Sequence, residues 1–318
     1  MNKTWLHNKL RIEHDLIEAS IQLQTMSNSN FDPTDFKASQ QQSWDSVARG
    51  WQKWWKTIEN GAQKINDRLI ALAEIKPGQR VLDIATGIGE PAITAAKSVG
   101  KDGHVTATDI STEMLAIAEE RARAMGLNKI MDFKQSDAEK LEFGTKQIFD
   151  SVLCRWGLMF LPDLDIALSN IQRVLGPGGK FATAVWSEPS KVPFISMPIN
   201  TVRQETHTSL PPQGIPGPFS LSDIDSLKKA FARAGFTEVN SEPINLVFEF
   251  NTAQDYTKFN QDIVAPIRIM LANETKERKE EIWNTVTSQA NLQFAENGTG
   301  HIKLENEAVC IVGSKNTK

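Results

Sequence analysis

Cysteine is scarce: the 318 residues hold two, Cys154 and Cys310. Two thiols exclude a disulfide scaffold, a four-cysteine zinc site and an iron–sulfur cluster. Both lie in apolar, strand-like runs and read as buried free thiols. Tyrosine occurs once and histidine five times; His14, His207 and Tyr256 are isolated, and no general base stands out. A run of 18 apolar residues is missing, which excludes a membrane-spanning helix. So is an excess of basic charge: 35 Lys and Arg against 39 Asp and Glu give a net charge of −4, which argues against a general nucleic-acid binder. The stretch 1–30 is polar and lacks an apolar signal-peptide core, so the expected location is the cytoplasm. No internal repeat or low-complexity tract appears.

What the chain does have is an alternating pattern. Residues 27–40 read as a loop, with Asp32-Pro33 as a turn signal. From Ser43, Trp44, Val47, Trp51, Trp54 and Ile58 recur at spacings of three and four and predict one face of a helix. Ala62, Ile65 and Leu69 continue that face past Gly61, where a bend is expected. From Val81 short apolar strands alternate with helices. Strands are expected at 81–84, 104–108, 130–135, 149–154 and 180–186, and helices at 91–98, 114–125 and 166–175. The helices end at Gly100, Gly126 and the Gly176-Pro177-Gly178-Gly179 tract. Such alternation predicts a doubly wound, mostly parallel sheet with helices on both faces. Residues 189–218 carry seven of the 14 prolines and read as an irregular segment. A helix is expected at 222–235, one or two strands at 236–250, a helical insertion at 251–295 and a last strand at 308–313. The expected division is an N-terminal helical lid at 1–75 and one α/β domain at 76–318, with covering insertions at about 188–220 and 251–295.

The stretch Asp83-Ile84-Ala85-Thr86-Gly87-Ile88-Gly89-Glu90-Pro91-Ala92 hands a strand over to a helix. Glycines there let the backbone approach a ligand, and the helix start offers unpaired N–H groups. Asp109 ends the next strand, where an acid accepts from both ribose hydroxyls. By spacing alone, Gly87-x-Gly89-x-x-Ala92 with an acid about twenty residues on also fits a dinucleotide fingerprint, and hence an NAD-dependent oxidoreductase. Two features tilt the reading. Asp83, inside the strand end, can address a cationic amino group, and Pro91 removes a helix N–H that a pyrophosphate would use. Both point to a ligand with a ribose and no pyrophosphate, S-adenosylmethionine (SAM).

Val81 to Ala92 resembles motif I of the class I SAM-dependent methyltransferases, and the resemblance extends from about Gly78 to Trp186. Asp109-Ile110-Ser111-Thr112-Glu113-Met114-Leu115 resembles their "D-I-S-x-x-M-L" segment. Asp137-Ala138 falls where they hold the adenine amino group, and Leu175 to Lys180 resembles their turn before the fifth strand. The nearest branch looks like the ubiquinone/menaquinone-biosynthesis (UbiE-like) and related small-molecule enzymes. Ala85 stands where many members have glycine. Ala92 and Arg155 replace residues that often carry hydroxyls, a departure that bears on the acceptor more than on the cofactor.

The resemblance implies a seven-stranded Rossmann-like methyltransferase fold, SAM as cofactor and S-adenosylhomocysteine (SAH) as product. It implies that Asp83 addresses the SAM amino group, that Ala85, Gly87 and Gly89 form the loop under its methionine part, and that Asp109 holds the ribose. Ile110 and Met114 would sandwich the adenine, Asp137 and Ala138 would meet its amino group, and Arg155 would border the sulfonium. For the methyl acceptor, expected to be a small apolar or aromatic molecule, the candidates are Trp44, Trp51, Trp156, Met159 and Phe160. No Asp/Asn-Pro-Pro-aromatic tetrad of nucleic-acid amino-methylating enzymes is present. A SAM-binding protein without transferase activity is the other reading.

Overall fold

The computed structural model describes residues 32–143, 148–209, 214–296 and 299–317. Its central feature is a seven-stranded sheet built from β1 (Arg80–Ile84), β2 (His104–Asp109), β3 (Met131–Gln135), β4 (Phe149–Arg155), β5 (Leu175–Trp186), β6 (Thr237–Phe250) and β7 (Ile302–Ser314). The spatial order is β3-β2-β1-β4-β5-β7-β6. The first five strands pair in parallel, and β7 runs antiparallel to β5, with Lys180 opposite Ser314 and Trp186 opposite Ala308. The expected doubly wound, mostly parallel architecture is present. Between the strands lie α2 (Ala92–Val99), α3 (Thr112–Ala124) and α4 (Leu164–Val174), preceded by α1 (Pro33–Leu72). Strands buried on both faces read as continuous apolar runs, and β1 and β4 do so: Val81, Leu82, Val152 and Leu153 are fully buried.

Five local expectations are corrected. Residues 27–31 lie outside the described residues, but Pro33 onward is helix, not loop. Asp32 is the cap: its Oδ1 accepts from the Thr34 N–H at 2.7 Å, and Pro33 takes the first helical position, where a missing N–H costs nothing. The helix then continues unbroken through Gly61 to Leu72. The Gly176–Gly179 tract is not a separate turn but an irregularity inside β5, because the pairing jumps from Phe149–Leu175 to Ser151–Lys180. The proline-rich stretch contains α5 (Pro193–Thr206), with Pro198 in its interior. The last strand begins at Ile302, earlier than expected. The stretch 236–250 is a single strand, β6, carrying Pro243 at the sheet edge, where a missing donor is tolerated. α6 (Ile224–Arg233) precedes β6, and α7 (Ala253–Ile263), α8 (Ala265–Met270) and α9 (Lys276–Phe294) follow it.

The chain divides into two compact units. The described residues of the first fall within Met1–Thr57, Pro193–Gln213 and Val247–Leu304; those of the second fall within Ile58–Val192, Gly214–Leu246 and Glu305–Lys318. The first unit has an aromatic core: Phe194 stacks on Phe248 at 3.9 Å, and Trp54 meets Phe259 edge-on at 5.7 Å. Val202, Ile267, Leu271, Ile282 and Val286 form a second cluster there. The second unit holds the parallel strands, with Leu82, Val152, Phe181, Phe231 and Ile311 in one core. Cys154 and Cys310 are buried and free, and no described helix is long and apolar enough to cross a membrane.

Candidate functional site

In a parallel sheet every strand delivers its carboxyl end to the same edge, and ligands bind outside that edge where the strand order reverses. Here the reversal lies between β1 and β4. Asp83, Ala85, Gly87 and Gly89 follow from β1, Asp109, Ile110 and Met114 from β2, Asp137 and Ala138 from β3, and Arg155, Trp156, Met159 and Phe160 from β4. All belong to the second unit. Trp44 and Trp51, a T-shaped pair at 6.2 Å, belong to the first.

The loop after β1 is held in an unusual backbone shape. Ala85 has φ +54°, Gly87 +56° and Gly89 +107°. The left-handed region costs an alanine roughly 1–2 kcal/mol and a glycine nothing. The Thr86 N–H donates to the Thr108 carbonyl at 2.9 Å, which ties the loop to β2. A side chain at Gly87 would meet no atom within 4 Å, so open space lies above it.

Asp109 fixes the loop from the other side. Its Oδ2 accepts from the Gly87 N–H at 2.8 Å and its Oδ1 from the Ser111 N–H at 2.9 Å. Ser111 in turn caps α3 by accepting from the Met114 N–H at 3.1 Å. The carboxylate is therefore oriented before any ligand arrives.

Asp83 is fully buried. Its Oδ2 accepts from the Ala92 N–H at 3.1 Å, while Oδ1 has no partner. Burial pushes its carboxyl up to about 8, against the opposing influences of the Thr86 hydroxyl, the Arg155 charge and the Ala92 N–H. The buried Thr86 hydroxyl lies near enough to Asp83 to favour its charged form, but without the geometry of a hydrogen bond. Unpaired buried polar atoms cost about 1–3 kcal/mol each. Two of them at the carboxyl end of β1 are suited to accept from a cationic amino group, and Gly87 leaves the backbone clear. The residues present thus fit the methionine end of SAM.

Close to Asp83 stands a buried ionic cluster.

 

Arg155, at the end of β4, is 8% exposed. Its guanidinium donates to Glu59 Oε2 at 3.0 Å, Glu59 Oε1 at 3.0 Å and Asn66 Oδ1 at 2.8 Å, and Asn66 Nδ2 donates to Glu59 Oε2 at 3.0 Å. Burial alone would push Glu59 up, but the Arg155 charge and hydrogen bonds outweigh it and hold the carboxyl below the usual range. Glu90 is pushed the other way, by burial and by the Glu59 charge. It accepts from the Thr94 hydroxyl at 2.7 Å, and Arg121 lies 3.9 Å from it and donates to the Ile88 carbonyl. Glu59 and Asn66 sit seven residues apart on α1, two turns along one face. They flank the apolar stripe Ile58, Ala62, Ile65 and Leu69, and that position beside a buried stripe is the signal that could have found them.

The other expected residues are placed as follows. Met114 is buried and Ile110 half-buried. Asp137 is half-buried and caps the short turn Ala138–Lys140, its Oδ1 accepting from the Glu139 N–H at 2.8 Å; Ala138 packs into the core. Trp156 has φ +57°, and its ring stacks on Trp186 at 4.2 Å with Arg155 5.0 Å from its centroid. Gly157 lets this turn close, since a Cβ there would lie 2.5 Å from that of Ala85. Met159 is buried, its carbonyl accepting from Gly217 and Ser220, and Phe160 is half-buried. Tyr256, in the first unit, donates its hydroxyl to the Phe194 carbonyl at 2.7 Å and has a structural task.

The chain is 36% identical over 139 residues to a demethylmenaquinone methyltransferase of Lactobacillus johnsonii, covering 44% of this chain and 55% of that protein. The chain spans about half the length of the curated relatives it matches. Among solved structures, the [4+2]-cyclase SpnF superposes with a TM-score of 0.57 at 19% identity, covering 89% of this chain and 97% of that one. Phosphoethanolamine N-methyltransferase 2 of Haemonchus contortus, in complex with SAH, superposes with a TM-score of 0.55 at 21% identity, covering 90% of this chain and 61% of that one. These two likenesses show the fold alone. The profile of the ubiE/COQ5 methyltransferase family matches residues 38–203, more than half of the sequence, and the chain belongs to that family.

Proposed function

We propose that this chain binds SAM at the carboxyl edge of β1–β4 and transfers its methyl group to a small aromatic acceptor. The observation that carries the reading is the pair of unpaired buried oxygens, Asp83 Oδ1 and Thr86 Oγ1, beside a glycine loop clamped by Asp109. SAM supplies an activated methyl on a sulfonium, which leaves by in-line displacement. The chain's own contribution is alignment and a dry site, and positioning alone supplies about 7–11 kcal/mol. Asp83 and Thr86 would accept from the amino group, and the backbone at Ala85, Gly87 and Gly89 would lie under the methionine part. Asp109 would accept from the ribose hydroxyls. Ile110 and Met114 would flank the adenine, with Asp137 and Ala138 at its amino edge. The stacked Trp156–Trp186 pair, with Phe160 nearby in sequence, supports an aromatic acceptor, as does the relative named for demethylmenaquinone. Met159, held in the core, would back that surface. Trp44 and Trp51 are proposed as acceptor residues on their aromatic character alone.

Calorimetric titration with SAM, SAH and NAD tests the reading. Binding of SAM and SAH without NAD is expected; binding of NAD alone would return the loop to a dinucleotide role and overturn it. Asp109→Ala is expected to weaken SAM binding about 10–100-fold, from the loss of charge-assisted bonds of about 1.5–3 kcal/mol. Unchanged affinity in the folded variant would refute the ribose assignment.

A further inference from the structure

A guanidinium is an unfavourable neighbour for a cation. Arg155 nevertheless ends β4 at the reversal point of the sheet, beside β1 and within electrostatic range of Asp83. Water does not screen it, because it is 8% exposed, and charges interact several times more strongly in such surroundings than in bulk water. A ligand whose sulfur is positively charged would therefore be disfavoured there, while the same ligand with a neutral sulfur would not.

The chain answers this with a residue from a distant helix. We propose that Glu59 is a positioning residue that cancels the Arg155 charge, so that the site accepts a sulfonium as readily as a thioether. The inference rests on the cofactor reading above. Three carboxyls stand in the cluster: Asp83, Glu90 and Glu59. Burial pushes the first two above their usual range, whereas Glu59, forked onto both Arg155 terminal nitrogens at 3.0 Å, is held below its own. Glu59 is thus the carboxyl of the group held in its charged form by its fork onto Arg155. Arg121, the other cation of the cluster, is turned to the Ile88 carbonyl and Glu90. Asn66 locks the pair by donating to Glu59 and accepting from Arg155. It fixes the guanidinium plane without adding charge.

SAM and SAH differ in the methyl group and the sulfur charge, so the ratio of their affinities reads the local field. Calorimetric titration of both ligands into three folded variants tests the proposal. Glu59→Gln is expected to lower the SAM-to-SAH affinity ratio about tenfold, the equivalent of about 1.4 kcal/mol. Arg155→Met is expected to move the ratio the opposite way, and the double variant to return it close to that of the parent. Should Glu59→Gln not fold, because a buried guanidinium is left unpaired, the Arg155→Met and double-variant arms still decide. Equal weakening of both ligands, with the ratio within about twofold of the parent, would make the pair purely structural and overturn the proposal. If the parent bound neither ligand, the cofactor reading itself would fall, and this inference with it.

Discussion

Asp83, proposed to meet the amino group of SAM, works against folding as the pH rises. An unfolded aspartate titrates near 3.9, and the buried one near about 8. Between those values the folded chain holds a proton that the unfolded chain has released, so stability falls as pH rises from about 4 through about 8. Asparagine keeps an oxygen for the Ala92 N–H and does not titrate. Asp83→Asn is therefore expected to raise the melting temperature by a margin that widens with pH and levels off above about 8, while weakening SAM binding. Thermal melts across that interval check it, and a constant margin would contradict it. At this scale the sequence was informative where chemistry is local. Asp83, Gly87, Gly89 and Asp109 could be read because strand end, loop and helix start are consecutive. Glu59 and Asn66 were not singled out, because their partner Arg155 lies far along the chain and polar residues on a helix usually face solvent.

Among the elements, α5 was the hardest to foresee. Proline inside a helix removes the N–H that would reach the carbonyl four residues back. For Pro198 that carbonyl belongs to Phe194, and the Tyr256 hydroxyl donates to it at 2.7 Å. Burial pushes the Tyr256 phenol well above its usual range, which keeps it a donor. Tyr256→Phe is expected to cost about 1–3 kcal/mol by leaving a buried carbonyl unpaired. In a Pro198→Ala background the alanine N–H can take over, and the cost should shrink. Urea unfolding of the two single variants and the double variant measures the coupling, and strict additivity would break the assignment. The turn signals that suggested a loop were real chemistry put to other uses. Asp32-Pro33 caps a helix, and Pro193 starts one, so only Pro198 needed tertiary help. β1 and β4 were legible as short, mainly apolar runs, whereas β3, polar at three of five positions, was legible only from its place in the alternation. The Gly176–Gly179 irregularity was not, since it is defined by pairing with β4.

At the level of the molecule, the residues proposed to hold the cofactor all fall in the second unit. A ligand that binds only the folded state stabilises it by about 2.7 kcal/mol at a hundredfold excess over Kd. With SAH at that excess, amide exchange in β1, β2 and β4 is expected to slow by about 100-fold, and by less in α7 and α9 of the first unit. Equal slowing in both units would mean that they open together, against this expectation. The alternating pattern revealed the sheet, but the two units are each assembled from three stretches of chain, and no composition change marks where one stretch ends. The sheet order has a consequence for synthesis. β7 lies between β5 and β6 yet follows both in the chain. As a ribosome delivers the polypeptide, the outer edge of β5 waits with unpaired backbone groups while β6 emerges first. β6 is then the nearest strand able to dock in the wrong place. An open edge is a template for mispairing, and edge prolines and charges are the usual deterrents. Glu238, Glu242 and Pro243 sit in β6 itself, where they would discourage that early pairing and keep the slot vacant for the strand that belongs there.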